Sequence, residues 1–163
     1  MVLTFFCKNI WCFKLDTHAI KHKKLVDKLL TQNFTQEQII AYFDFDNMVK
    51  KENDFCLLYQ TNTKCHAIEK LNCYLCACPH FRFHDDGIEK IEEKTKYSFC
   101  AIDAKNGSEA TYGVAIHHDC SQCEIPHSAS YIRKNFNLDW KSSMSECSAS
   151  TIEKDIPHHR HLL

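Results

Sequence analysis

The chain has 163 residues, of which 44% are hydrophobic, and its formal net charge at pH 7 is −1. This size and composition suit one globular domain, and three glycines with three prolines are too few for a collagenous or linker-like protein. The near-neutral charge gives no overall attraction to nucleic acid or to an anionic membrane. We therefore expect a protein partner rather than nucleic acid, and no membrane association.

The cysteine content bears on the cellular compartment. Eleven cysteines are an odd number, so at least one thiol has no partner for a disulfide. Residues 2–7 are mostly apolar, but no basic residue precedes them, Lys8 interrupts them and no small-residue cleavage site follows. They make a poor signal peptide and are too short to span a bilayer. We expect a reduced, cytoplasmic chain whose cysteines bind metal.

Residues 1–50 predict an N-terminal helical extension with one or two helices. Thr35 and Gln38 have the spacing of a capping box, in which a hydroxyl and an amide satisfy free N–H groups at a helix start. Apolar residues recur at helical spacing on either side of this cap: Leu25, Val26, Leu29 and Leu30 before it, and Ile39, Ile40 and Phe43 after it. Such stripes usually pack into the core.

Residues 54–137 predict a cysteine-rich metal-binding domain, followed by a flexible tail over 142–163. Within the domain, residues 97–102 and 112–116 read as short strands, and Asn106-Gly107 between them is a hairpin-type turn signal. Residues 87–96 are charged and read as helix or loop. Ser128 or Ser130 is expected to cap a short helix that carries Ile132 and Phe136. The predicted fold class is α+β, as a small, irregular, metal-stabilised domain.

Two Cys-x-x-Cys segments carry the strongest functional signal. They are Cys73 with Cys76 and Cys120 with Cys123, and a turn of this kind brings two sulfurs to about 3.8 Å, the edge of a tetrahedron around zinc. Further cysteines and histidines near these pairs are also predicted to bind metal. The predicted ligands are Cys65, Cys73, Cys76, Cys78, Cys120, Cys123 and His127, with Cys56 or His66 as the eighth. Eight ligands fill two tetrahedral sites, and filled sites are structural rather than hydrolytic.

The other cysteines and histidines are not predicted to bind metal. Cys7, Cys12 and Cys147 are expected to be small buried apolar residues, and Cys100 a core residue of a strand. The isolated histidines have no clear ligand spacing and are expected at the surface: His80, His84, His117 and His118. The terminal His158, His159 and His161 are expected to be an incidental polar end.

We predict that the ligands divide between two zinc ions. The first ion takes Cys73, Cys76, Cys120 and Cys123, because a fifth thiolate would exceed the tetrahedral number. The second takes Cys78, His127 and Cys65, with Cys56 or His66. Pro79 biases Cys78 towards an extended backbone, which would direct the chain from one ion to the other.

Three segments together resemble a known family. Cys65-His66, then Cys73-Tyr74-Leu75-Cys76-Ala77-Cys78-Pro79, then Asp119-Cys120-Ser121-Gln122-Cys123-Glu124-Ile125-Pro126-His127 follow an ordered motif set. This set is similar to that of the cysteine-rich small domain family of bacteria and archaea, also called zinc-finger-like. The resemblance covers residues 56–131 and implies a metal-binding domain without implying a substrate. Residues 82–118 are longer than the compact family form.

Enzyme signatures are incomplete in this sequence. A zinc deaminase needs His-x-Glu, whereas Glu69 stands three residues after His66, and no His-Glu-x-x-His motif is present. An iron–sulfur cluster is the main alternative cofactor, since Cys78-Pro79 resembles the end of a ferredoxin motif, although the complete ferredoxin run is missing. We therefore predict a non-catalytic interaction module held by about two zinc ions, with a redox or metal-handling protein as the alternative.

Overall fold

The computed structural model of the protein describes residues 8–147, with side chains from residue 15 onward. The N-terminal part is helical: α1 spans Lys8–Thr31, α2 spans Gln36–Tyr42 and α3 spans Phe45–Lys51. A 3₁₀ helix, Leu57–Thr61, leads into the cysteine-rich region. The expectations for Cys7 and for the histidines at 158–161 concern residues outside this range. The expectation for Cys12 concerns a side chain that the structure does not describe.

Short strands fill the middle of the described chain. They are β1 Phe81–Phe83, β2 Glu89–Ile91, β3 Lys94–Lys96, β4 Ser98–Cys100, β5 Ser108–Tyr112 and β6 Ala115–Asp119. β1 and β4 form an antiparallel pair, and a second sheet has the order β2-β3-β6-β5, in which β3 and β6 run parallel. Helices α4 Ala129–Lys134 and α5 Trp140–Ser143 follow, and then a second 3₁₀ helix, Ser145–Cys147. The predicted α+β class is confirmed.

The capping box predicted at the start of α2 is present. The backbone N–H of Gln38 donates to the Thr35 hydroxyl at 3.4 Å, and the side-chain oxygen of Gln38 accepts from the backbone N–H of Thr35 at 2.8 Å. Both bonds satisfy N–H groups that no helical carbonyl can reach.

Thr35→Ala is expected to lower the free energy of unfolding by about 1 kcal/mol, because it removes the acceptor of this cap. Urea denaturation followed by circular dichroism measures the change. Thr35→Ser is the control, since it keeps the hydroxyl and should stay close to the wild-type midpoint. An alanine variant as stable as the serine variant would show that the cap contributes nothing.

One hydrophobic core joins the helices to the cysteine-rich region. Three residues of the predicted α1 stripe, Leu25, Val26 and Leu29, are buried, whereas Leu30 is 40% exposed. The same cluster contains residues of α2 and α3 and residues far along the chain: Ile39, Ile40, Phe43, Met48, Leu71, Tyr74, Leu75, Ile132 and Trp140. The apolar face of the helices within residues 15–50 therefore packs against the segment that carries Cys73 and Cys76.

The sheets have almost no hydrophobic core of their own. In the six strands only Arg82, Ser98 and Ile116 are buried, and every residue of β2 is exposed. Strands of three to five residues with one buried apolar side chain cannot bury enough surface to be stable alone. The region from 81 to 119 needs a further source of stability.

Several sequence predictions in the second half of the chain are wrong. Residues 87–96 form the β2–β3 hairpin, and residues 112–116 contain the turn between β5 and β6, at Gly113. Asn106-Gly107 lies in the connection from β4 to β5, which belong to different sheets and do not form a hairpin. Residues 142–147 are not a tail, because Met144 and Cys147 are 3% and 1% exposed. The Cys147 interpretation as a small buried residue is confirmed, and Ser128 caps α4 as expected.

Two histidines of α1, one turn apart, lie in the core beside Phe55 and Trp140. Burial lowers the pKa of His22 to about 3, an effect increased by the charge of His18 and opposed by a 3.0 Å hydrogen bond to the Tyr74 carbonyl. Burial, and then the charge of Lys21, lowers the pKa of His18 to about 4. Both imidazoles are therefore neutral in the folded protein at pH 7.

These two histidines should make the fold sensitive to acid. Their pKa in the unfolded chain is near 6.5, so the unfolded state takes up protons first, and stability falls as the pH drops from about 6.5 towards the folded values of about 4 and about 3. His22→Gln removes one titration and keeps a donor for Tyr74. We expect its unfolding free energy to fall less than that of the wild type between pH 6.5 and pH 4; parallel curves would contradict the assignment.

No helix in the described range 8–147 combines the length and the apolar character needed to cross a membrane.

Candidate metal centre

Both Cys-x-x-Cys segments fold into tight turns. The N–H of Cys76 donates to the carbonyl of Cys73 at 3.3 Å, and the N–H of Cys123 donates to that of Cys120 at 2.8 Å. The nine cysteines from Cys56 to Cys147 are all free thiols, so no disulfide links them. The turns that the sequence predicts are thus present, and their thiols are available to bind metal.

The backbone at Cys78 differs from the expected extended form. Ala77 has a φ of 82° and Cys78 has a φ of 56°, so two consecutive residues are left-handed. The reason is a second turn directly after the first, in which the Cys78 N–H donates to Leu75 O at 3.2 Å and the Phe81 N–H donates to Cys78 O at 3.1 Å. Left-handed residues other than glycine cost about 1–3 kcal/mol, and such strain is concentrated at binding sites.

The first group of thiols, centre A, consists of Cys78, Cys100, Cys120 and Cys123. These four side chains, from three separate segments, line one cavity of about 10 Å³ together with His118. About 10–15 Å³ of such volume accommodates a single water-sized particle. The cavity therefore has the size of one ion.

Strand register explains how centre A is assembled. β1 follows Cys78, and its pairing with β4 sets Phe81 opposite Cys100. The N–H of His118, in β6, donates to the Ser98 hydroxyl of β4 at 2.8 Å, so that Cys120 comes to the same end of the strands as Cys100. The sheet residues, which bury little apolar surface, thus bring four cysteines to the lining of one cavity. No three of their sulfurs are within 4.8 Å of one another, so binding one ion would draw the sulfurs closer together.

The environment of centre A keeps the thiols of Cys78 and Cys120 protonated in the absence of metal. Burial raises the pKa of Cys120 to about 12, and the charges of Cys78, Cys123 and Cys100 add to the shift. Burial also raises the pKa of Cys78 to about 11, against the effect of a hydrogen bond from the His80 N–H. Thiols of this kind are poor nucleophiles at pH 7, whereas a bound metal ion deprotonates its ligands. The site is better suited to metal ligation than to covalent catalysis.

The second group of thiols, centre B, consists of Cys56, Cys65, Cys73 and Cys76. Burial raises the pKa of Cys73 to about 12, and the charges of Cys65 and Cys56 act in the same direction. Burial raises the pKa of Cys76 as well, with contributions from Cys65, Cys73 and Cys56. Cys56 and Cys65 thus lie close enough to Cys73 and Cys76 to disfavour the ionisation of these two thiols.

Backbone bonds hold centre B against the helical core. The Cys73 N–H donates to Phe43 O at 2.8 Å, the Tyr59 N–H donates to Cys56 O at 3.1 Å, and the Ala67 N–H donates to Ser121 O at 3.1 Å. The first bond fixes the first Cys-x-x-Cys turn to the helices, the second closes the start of the 3₁₀ helix, and the third links the segment after Cys65 to the second Cys-x-x-Cys turn.

This arrangement differs in part from the predicted division of ligands. Cys78 lines one cavity with Cys120 and Cys123, whereas the charges of Cys65 and Cys56 act on Cys73 and Cys76. Cys65 and His127, predicted to share an ion with Cys56 or His66, do lie together with His66. The division of the ligands between two ions stays a prediction. The assignment of Cys76 and Cys78 to different sites agrees with the observed groups.

Cys100 is the site residue that sequence reasoning missed. It is half-buried at the end of β4, as expected for a strand, but it lines the cavity of centre A and its Sγ accepts a hydrogen bond from the Ala104 N–H at 3.5 Å. A count of the ligands could have identified Cys100, because centre A without it holds three thiols and a closed zinc site needs four ligands.

The histidines have three different environments. His66 and His127, both predicted ligands, lie beside Cys65, and the ligand atoms of these three residues all fall within 4.8 Å of one another. His118 faces centre A and was not predicted. The remaining isolated histidines are half-buried rather than at the surface: His80 contacts the Tyr131 hydroxyl, His84 accepts from the Asp86 N–H, and His117 stacks on Phe83 and Tyr97.

Comparisons of the chain with protein-family models, with curated proteins and with solved structures found no significant match. The resemblance to the cysteine-rich small domain family therefore stays a prediction.

Proposed function

We propose that this protein is a structural metal-binding protein in which two zinc ions, one at centre A and one at centre B, cross-link a region that has little hydrophobic core. The observation that carries the proposal is that four cysteines from three segments line one cavity of about 10 Å³. Four thiolates complete a tetrahedral zinc site and leave no position for substrate. The family resemblance around these residues supports the same interpretation.

The sequence around the cysteines favours zinc over an iron–sulfur cluster. The complete ferredoxin run is missing, and two histidines lie beside Cys65 among the candidate ligands. The Ala104 N–H donates to the Cys100 sulfur at 3.5 Å, and the backbone N–H of His80 lowers the pKa of Cys78 against the effect of burial. Zinc with four thiolates fits this donor set.

The location of the centres supports a stabilising role. Only one apolar strand residue, Ile116, is buried among β1 to β6, and the three segments of centre A join β1, β4 and β6. Structural zinc contributes an apparent free energy of about 10–16 kcal/mol in small domains, which is as large as the whole stability of many proteins. A metal ion at centre A would supply the stability that the strands lack.

The wider role that we propose is that of a cytoplasmic interaction module with a protein partner. Two features support it: thiols that need a reducing compartment to stay free, and a net charge of −1 that gives no general attraction to nucleic acid. The exposed Tyr112 and Val114 at the β5–β6 turn, at 57% and 67%, are apolar residues available to such a partner.

Metal analysis of protein purified without oxygen or chelators tests the proposal. We expect at least two zinc ions per chain and no absorbance above 300 nm from a chromophore. A metal-free folded chain, or stoichiometric iron with a brown colour, would contradict it.

A further inference from the structure

Cys65, His66 and His127 form a compact group beside centre B. Their ligand atoms lie within 4.8 Å of one another, and in the side chains described from residue 15 to 147 no other group of three possible ligands is this close. The Nδ1 of His66 is 3.0 Å from the Cys65 Sγ, and the two imidazole rings have centroids 4.2 Å apart. The close approach of two imidazoles and a thiol is suited to a metal ion that binds all three.

The orientation of His127 is fixed by a backbone carbonyl. Its Nδ1 is 3.0 Å from Asn72 O, so the Nδ1–H donates there and Nε2 is left as the ligand atom. A second bond joins the same two residues, from the Asn72 N–H to His127 O at 3.0 Å, and His127 is 2% exposed. Metal-bound histidines typically donate their other ring N–H to a carbonyl in this way.

Asn72 itself is held firmly. Its side-chain amide donates to Ile40 O at 2.7 Å and to the Asp44 carboxylate at 2.7 Å, and it is 2% exposed. The helical core therefore sets the position of the His127 ring before any ligand binds, which lowers the entropic cost of binding.

The charge of centre B favours a second cation. Four thiolates around one Zn²⁺ carry a net charge of −2, and Asp44 adds a further negative charge near Cys73. A second divalent ion that shares the Cys65 thiolate and takes two neutral imidazoles brings the total of ions and thiolates to zero. Neutralisation matters here because Cys73 is buried and Cys76 half-buried, and an uncompensated charge away from water is costly.

We propose that Cys65, His66 and His127 bind a further divalent transition-metal ion, and that its fourth position is open to water or a small anion. This inference rests on the proposed function, because Cys65 bridges the new ion and the ion of centre B. Cys65 is exposed, so the open position faces solvent. Zinc sites with three protein ligands keep an exchangeable fourth position, unlike closed structural sites.

Counting metal ions by native mass spectrometry tests this site. The wild type is expected to hold three ions, and His66→Gln and His127→Gln to hold two. His117→Gln is the matched control, since His117 is a half-buried histidine of β6 away from the group, and it should hold three. His66 is half-buried as well, so its variant should fold even if replacement of the buried His127 perturbs the core.

A spectroscopic measurement tests the open position separately. In cobalt-substituted protein, azide is expected to shift the d–d bands of the wild type and of His117→Gln, but not those of His66→Gln. Two ions in all three proteins, with no response to azide, would show that the histidines only donate hydrogen bonds to the Cys65 thiolate and would overturn the inference. That result leaves the proposed function intact, whereas a wild type without bound metal would reject both.

Discussion

Removing the metal with a strong chelator is expected to unfold the strands from 81 to 119. Their burial of a single apolar residue, Ile116, gives the chain no alternative source of stability there. A structural zinc ion contributes about 10–16 kcal/mol of apparent free energy, against a total stability of about 5–15 kcal/mol for an ordinary domain. The helices α1 to α3 should keep part of their structure, because Leu25, Val26 and Leu29 belong to one hydrophobic cluster with buried residues of α2 and α3.

Amide hydrogen exchange with and without chelator measures this difference region by region. The protection of β1, β4 and β6 should disappear, and restoring zinc in a reducing buffer should recover it. Dilution into the same buffer without chelator is the control. Extraction of all metal with unchanged protection of the strands would mean that the ions do not stabilise the fold.

Cys100→Ser is expected to remove the ion of centre A and to leave the metal at centre B. The hydroxyl replaces one of the four thiolates, and serine is a far poorer zinc ligand than cysteine. Cys78→Ala should have the same effect, since Cys78 and Cys100 line the same cavity. The ion contributes about 10 kcal/mol of apparent stability, so its loss should unfold the strands as the chelator does.

Cys147→Ser is the matched control for this experiment. Cys147 is 1% exposed, and its Sγ donates to the Cys78 carbonyl at 3.3 Å. It is therefore more deeply buried than Cys100 and close to the site, but it does not line the cavity. The control should retain every ion. A Cys100→Ser protein with the metal content of the control would show that centre A is wrongly composed.

The features that the sequence predicts correctly are local. The Thr35 cap needs only residues three positions apart, and each Cys-x-x-Cys turn closes within four residues. The α1 stripe follows from helical periodicity, because a short helix is stable when its apolar face is buried. In these cases the interacting groups are set by spacing along the chain.

The grouping of the ligands depends on contacts between distant segments. Cys100 reaches centre A because β1 and β4 pair with Phe81 opposite Cys100, and Cys120 reaches it because β6 is bonded to Ser98. The strands that impose this register are three to five residues long and mostly polar, so their pattern is weak in the sequence. The two Cys-x-x-Cys pairs look alike in the sequence, and nothing local indicates that one belongs to the helices and the other to the sheet.

Anomalous diffraction at the zinc absorption edge, from crystals of the wild-type protein, locates the ions. We expect one peak among Cys78, Cys100, Cys120 and Cys123 and a second among Cys56, Cys65, Cys73 and Cys76, in addition to any ion between Cys65, His66 and His127. A single peak shared by Cys73, Cys76, Cys120 and Cys123, or no peak at either centre, would contradict this expectation.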